Sequence, residues 1–334
     1  MRINKLTKWT AVLTLALPVL LMAQKGEEAG EADKSGSVAF KFLNLQYDAR
    51  GAALGGLAAQ ASGAEALFWN PAGLAKASGL GFSAGMTQWL VETSYMNAGV
   101  VMPMAGGVLG VGFVSVDYGD FMKSGWEEVS GSYVFNPNQE TFTASDNALQ
   151  VSYGRFLSDK FSVGGSAKVI SESIEDESLS GLAFDVGMQF NTGYKNLQMG
   201  GVISNFGPTI DPVEEDSESS LAPPMAFSFG AVGQAFGNEN TGLVAGLNVV
   251  KLSDMSQRIA IGGEMTMGNV VKLRANYTVG GLAEESSGYA WATLPVFSVS
   301  LGGGLDLGGV SVNFAMTQMA AFDPVMRFSL GYQL

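Results

Sequence analysis

Residues 270–279 read VVKLRANYTV, and its side chains fall into two interleaved series. Val271, Leu273, Ala275, Tyr277 and Val279 form one; Val270, Lys272, Arg274, Asn276 and Thr278 form the other. A helix would gather its apolar residues at three- and four-residue intervals, so a period of two marks a strand with one apolar face. The pattern returns in 161–169, FSVGGSAKV. It returns again at the end, where Met326, Phe328, Leu330, Tyr332 and Leu334 alternate with Arg327, Ser329, Gly331 and Gln333. The chain is built from strands.

Composition decides what the apolar faces meet. Hydrophobic residues make up 47% of the chain, charged residues only 15%, and 45 of 334 residues are Gly, against averages of about 25% charged and about 7% Gly. Beyond the first 23 residues no apolar run approaches the roughly 20 residues of a membrane helix. High apolarity diluted by alternation is the mark of a transmembrane β-barrel. A soluble β-sandwich has the same alternation, but its strands are shorter than the segments seen here.

Strands are expected near 81–89, 93–103, 108–118, 146–157, 161–172, 181–191, 196–205, 223–235, 241–251, 257–266, 269–279, 289–303, 309–317 and 325–334. Fourteen is an even number, as bacterial barrels require. With both termini periplasmic, 104–107, 158–160, 192–195, 236–240, 267–268 and 304–308 are short turns. The other side carries the longer 119–145, 173–180, 206–222 and 280–288, the expected asymmetry of such barrels. Trp89, Tyr95, Tyr153, Phe156, Phe161, Tyr194 and Trp291 lie near strand ends, where interfacial girdles form.

The first residues read as a leader. Arg2, Lys5 and Lys8 precede an apolar run from Trp9 to Ala23, and the chain then turns polar and acidic. That run is too short to span a bilayer and right for a secretory signal. The expected organisation is a signal peptide over 1–23, a polar leader over 24–35, an N-terminal plug or hatch over 36–80 and the barrel over 81–334.

Chemistry is limited by what is missing. The chain has 0 His and 0 Cys, which removes thiol nucleophiles, the usual serine triad and the commonest metal ligands. No catalytic residue, metal site or cofactor is expected, and the protein reads as a non-enzyme. A formal charge of −13 gives no footprint for nucleic acid. The acidic runs Glu172, Glu175, Asp176, Glu177 and Asp211, Glu214, Glu215, Asp216, Glu218, with Glu284 and Glu285, read as solvated loop tips.

Residues 36–80 do not alternate. FLNLQYDARGAALGGLAAQASGAEALFWNPAGLA is dominated by Ala and Gly, with only Asp48, Arg50 and Glu65 charged. Ser62 is placed to cap a short helix from Gly63 or Ala64, which the Asn70–Pro71 pair ends. Too apolar for a free linker and too short to bury itself, this piece needs a cavity, and a wide barrel supplies one. Phe42, Leu43, Asp48, Ala49, Arg50, Gly51 and Gly55, followed by Phe68, Trp69, Asn70, Pro71, Ala72 and Gly73, resemble the N-terminal signature of the PorV/PorQ family of outer-membrane proteins. That family belongs with the FadL-like barrels, where a similar stretch forms the hatch. The final MRFSLGYQL also resembles the last strand of these barrels, ending in Leu334 where an aromatic is usual.

The resemblance implies a fourteen-stranded barrel in the outer membrane, in contact with its lipid. For PorV-type relatives it implies work in type IX secretion, binding secreted proteins or secretion subunits at the cell surface. For FadL-type relatives it implies passage of hydrophobic small molecules such as long-chain fatty acids, often through a lateral opening. The first is the main expectation and the second its alternative. Asp48 and Arg50 are expected to anchor the plug, Arg50 against Asp185 or Glu264. The 16 Met residues are able to line an apolar tunnel or to face lipid.

Overall fold

A computed structural model describes residues 38–136, 141–194, 196–210, 221–238, 240–255, 257–280, 297–319 and 323–334. Each alternating segment forms a strand: β1 (Gly81–Gln88), β2 (Ser94–Met104), β3 (Gly107–Met122), β4 (Gly125–Val129), β5 (Ser132–Asn136), β6 (Thr141–Ser158), β7 (Phe161–Ile174) and β8 (Glu177–Asn191). They continue as β9 (Gln198–Phe206), β10 (Ala226–Gly237), β11 (Thr241–Leu252), β12 (Arg258–Met267), β13 (Val271–Gly280), β14 (Phe297–Leu307), β15 (Val310–Met319) and β16 (Val325–Gln333). Fourteen of them pair with their neighbours and close where β1 meets β16, Gly81 opposite Gln333 and Gln88 opposite Met326. Every ladder is antiparallel, and β4 and β5 form a separate hairpin between β3 and β6.

Burial along the strands is inverted relative to a soluble protein. In β8, Leu182, Phe184, Val186, Met188 and Phe190 are exposed, while Ala183, Asp185 and Gln189 are buried. In β16, Met326, Phe328 and Leu330 face out and Arg327 is 1% exposed. The wall is thus apolar outside and polar or small inside, the arrangement that suits lipid rather than water.

The two ends of the barrel differ. One, the turn end, carries the short connections at 105–106, 159–160 and 308–309 together with Leu334. The other, the loop end, carries the connection over 207–225 and the β4–β5 hairpin. Two stretches expected as long loops are largely strand. Most of 119–145 is taken up by the extensions of β3 and β6 and by the hairpin, and 173–180 shrinks to a tight turn at 175–176 between β7 and β8. They carry exposed apolar residues of their own, Phe121, Met122 and Ile174 on the strands and Tyr133, Val134 and Phe135 on the hairpin. The strand expected at 289–303 is seen as β14, starting at Phe297; residues 281–296, with Trp291, Glu284 and Glu285, lie outside the described residues. So do 1–37 and the acidic run 211–220.

Trp89 and Tyr95 do not join a girdle. Tyr95 is 1% exposed and turns inward, with the Trp89 ring 6.0 Å away. Phe156 and Tyr194 do face outward.

Residues 38–80 run inside the barrel. A 3-10 turn at Lys41–Asn44 leads to a helix, α1 (Ala49–Leu54), then to further 3-10 turns at Gly63–Phe68 and Pro71–Lys76. Asp48 caps α1 by accepting from Gly51 N at 2.8 Å, and Gly55, at φ 73, closes it in the left-handed conformation that glycine adopts without cost. Ser62 does not act as expected. Its hydroxyl makes no cap bond and lies 3.5 Å from Glu65 Oε1 instead, so the piece after it is a 3-10 turn ending at Phe68.

Candidate functional site

The site is the lumen around the middle of this segment. Asn70 is fully buried and ties the segment both to itself and to the wall. Its amide donates to the carbonyls of Ala58 at 2.7 Å, Met188 at 3.2 Å and Gly201 at 3.4 Å. Its carbonyl oxygen accepts from Ala72 N at 3.1 Å and starts the turn Pro71–Lys76. Pro71 stands at the first position of that turn, where a missing N–H costs nothing.

Close approach is made possible by wall glycines. A Cβ on Gly187 would sit 2.0 Å from Asn70 Oδ1, one on Gly164 2.4 Å from the Pro71 carbonyl, and one on Gly200 2.1 Å from Ala58 O. Gly99 and Gly110 make room in the same way for Leu67. Gly73 of the segment packs against the Ala61 carbonyl, with 2.3 Å to an added Cβ. Much of the unusual glycine content of the strands is therefore room for the segment.

Inward amides of the wall satisfy the segment's carbonyls. Gln150 donates to Leu67 O at 2.7 Å, Gln189 to Ala58 and Ala61 at 3.2 Å each, Asn248 to Gly56 at 3.0 Å and Asn276 to Ala52 at 2.7 Å. Short irregular backbone in a lumen leaves carbonyls without helical or sheet partners, so such donors are required. Sequence reasoning passed over these four residues. Their signal was present: Asn or Gln at the inward parity of an alternating strand.

Trp69 and Asp48 stand between two spaces. Toward the loop end lies a cavity of about 110 Å³ with Leu43, Leu45, Leu57, Phe68, Trp69 and Val114 in its wall. Toward the turn end lies a polar chamber of about 390 Å³, with Asp48, Arg50, Glu65, Glu264 and Arg274 in its wall. The Trp69 indole N–H donates to the Asp48 carboxylate across the partition. Gly51 lets the ring seat, since a Cβ there would stand 2.1 Å from Trp69 Cζ2. Phe68 packs on Tyr47, 6.0 Å between centroids. Phe42 and Leu43 are buried in an apolar cluster with Phe40 and Tyr47, and Ala49 and Ala72 are fully buried.

Charge fixes α1 in place. Arg50 pairs with Glu65 of the segment and, at 3.6 Å, with Glu264 of β12. Arg274 of β13 reaches Glu264 at 2.6 Å and Asn313 at 2.7 Å. Asp185, the other expected partner of Arg50, instead holds Lys168 at 2.9 Å. Asp48, Glu65 and Glu264 thus set three carboxylates against the two guanidiniums of Arg50 and Arg274 in the wall of one chamber.

Of the two roles open to the methionines, Met86, Met96, Met188 and Met326 take the outward one, and none of the described residues lining the cavity is Met. Of the acidic loop residues that are described, Glu175 pairs with Lys123. No group of three or more potential metal ligands occurs among the described residues.

No protein-family model matches the chain, and no curated protein matches it. Solved structures do. The toluene transporter TodX of Pseudomonas putida aligns with TM-score 0.57 at 15% identity, over 86% of this chain and 97% of that one. The toluene transporter TbuX of Ralstonia pickettii aligns with 0.56 at 12% identity, over 89% and 100%. A FadL homologue of Pseudomonas aeruginosa aligns with 0.57 at 10% identity, over 86% and 99%. The fold is shared with FadL-type outer-membrane barrels. The resemblance of the entry segment to PorV/PorQ has no counterpart among these matches.

Proposed function

We propose that this protein is an outer-membrane channel, not an enzyme, that admits hydrophobic small molecules, with residues 38–80 acting as the element that closes its lumen. The observation that carries this is the cavity above the Trp69–Asp48 partition. Leu43, Leu45, Leu57 and Phe68 give its wall an apolar part, beside polar groups of which Lys168 is held by Asp185 and Asn205 while Arg258 keeps an unpartnered Nε. Such a wall favours a mainly apolar ligand and leaves a place for one polar end. The structural neighbours named for toluene transport support the same class of substrate. The inverted faces of the wall support an outer-membrane location.

The test is uptake of radiolabelled toluene and of a long-chain fatty acid by outer-membrane-bearing cells that express the protein, against cells with an empty vector. Faster entry of either compound is expected, and Trp69→Ala should change that rate. Equal uptake of both compounds with and without the folded barrel would reject the channel.

A second reading, docking of secreted proteins or type IX secretion subunits, keeps two supports. One is the resemblance of the entry segment. The other is the β4–β5 hairpin, where Tyr133 is 70% exposed and Val134 50%. Co-purification of secreted proteins that is lost when residues 125–136 are deleted would favour it over the channel.

A further inference from the structure

We infer that the cavity above the Trp69–Asp48 partition takes a single-ring aromatic carboxylate, with the ring among the apolar residues and the carboxylate on Arg258. This rests on the cavity being the ligand site of the proposed channel. It adds to that reading one anionic group, which an aromatic hydrocarbon lacks.

Arg258 is the first residue of β12 and has the inward parity of Ala260 and Glu264. Its cross-strand partners are Val250 on β11 and Gly280 on β13. In the cavity wall it stands with Val250, Leu252, Ala260 and Thr278, three apolar side chains and one hydroxyl. Its Nε is buried without a hydrogen-bond partner. A guanidinium N–H in that position has given up water and gained nothing in exchange.

Among the described residues, the other cations turned into the lumen are engaged. Lys168 holds Asp185 at 2.9 Å and Asn205 at 2.6 Å. Arg50 pairs with Glu65, Arg274 with Glu264, and Lys272 with Asp306. Arg327 donates to Gln46 O and Thr317 Oγ1. Asp254, four residues before Arg258, is not free for it, because Lys41 takes that carboxylate at 2.8 Å. An anion in the cavity therefore finds its open donor at Arg258.

Charge and size narrow the ligand. The planar fork of an arginine matches a carboxylate through two parallel hydrogen bonds. One guanidinium balances one negative charge, so a monoanion fits and a dianion would stay partly uncompensated. An apolar cavity of roughly 150 Å³ holds one benzene ring, and this cavity is about 110 Å³. Tyr47, Phe68 and Trp69 also border it, and aromatic side chains gain more from packing on a ring than area alone provides.

The test is equilibrium dialysis of the folded full-length protein in detergent at pH 7, against protein-free micelles, with radiolabelled benzoate, benzamide and toluene. Benzamide keeps the ring and removes the charge. Benzoate should bind about tenfold more tightly than benzamide, or better. Arg258→Gln should abolish that preference and leave toluene binding unchanged, while Arg258→Lys keeps the charge without the fork and retains part of it. Lys251→Gln, on the outer face opposite the exposed Phe227, should change nothing. Equal binding of benzoate and benzamide overturns the inference, and the channel reading stands if toluene still binds. A preference for benzoate that survives Arg258→Gln and vanishes in Lys168→Gln also overturns it, since the anion then sits on Lys168. If none of the three compounds binds, the cavity is not the ligand site and the channel reading falls too. If Arg258→Gln does not fold, as judged on unboiled gels, the comparison of benzoate with benzamide on the unaltered protein and on Arg258→Lys decides.

Discussion

Asn70 joins three partners that nothing in the local sequence puts together: its own turn, the backbone of Ala58, and the inner face of β8 and β9. Asn70→Ala leaves buried backbone groups without partners, which costs about 1–3 kcal/mol. Gly187→Ala attacks the same contact from the wall, and overpacking of this kind costs about 1–3 kcal/mol as well. Both should lower the temperature at which the folded barrel is lost on unboiled gels and speed proteolysis within 38–80. The two losses should not add, since they strike one contact. Additive losses would mean that Asn70 and Gly187 act separately.

Among the elements, α1 shows most clearly where the sequence could be read and where it could not. Strands were legible because a period of two persists over eight or more residues and polar side chains take the inward parity throughout. Six residues, ARGAAL, offer no periodicity to a reader, and Ala-Gly composition fits helix, turn or linker alike. Asp48 was recognisable as an anchor; that one carboxylate both caps the helix and holds an indole 21 residues onward depends on how the segment folds back inside the barrel. Ser62 misled because a capping residue followed by Glu65 is a local rule, and here Glu65 is taken by Arg50. The two roles of Asp48 are separable. Asp48→Ala removes the cap, worth about 0.5–2 kcal/mol, together with the bond to Trp69. Asp48→Asn keeps an oxygen for Gly51 N and gives up the charge that strengthens the indole bond. Hydrocarbon leak into cells should rise in both variants, while thermal stability should fall mainly in the Ala variant. Equal stability loss would mean that the Trp69 bond, not the cap, fastens α1.

Across the whole molecule, one inversion accounts for both the composition and the closed lumen. Apolar residues face outward, as Leu182, Val186 and Leu301 do, so the interior must be filled by something else. Fourteen strands enclose more space than their own inward side chains fill. Segment 38–80 occupies it, and glycine on the inner wall lets backbone meet backbone. In sequence those glycines look the same as turn glycines, which is why strand positions were legible and the fit between wall and segment was not. The inversion makes its own prediction. Val186 is 56% exposed in the middle of β8, and an outward Arg near the bilayer midplane costs about 2–4 kcal/mol. Val186→Arg should therefore destabilise the barrel by that amount when unfolding from lipid bilayers is followed in denaturant. Asp176→Arg, at the exposed loop-end turn, should stay within about 0.5 kcal/mol. If the outer face met water instead, Val186→Arg would cost no more than Asp176→Arg, because a surface cation in water is nearly neutral. A large gap between the two variants thus reports lipid against the wall directly, independent of any resemblance to known barrels.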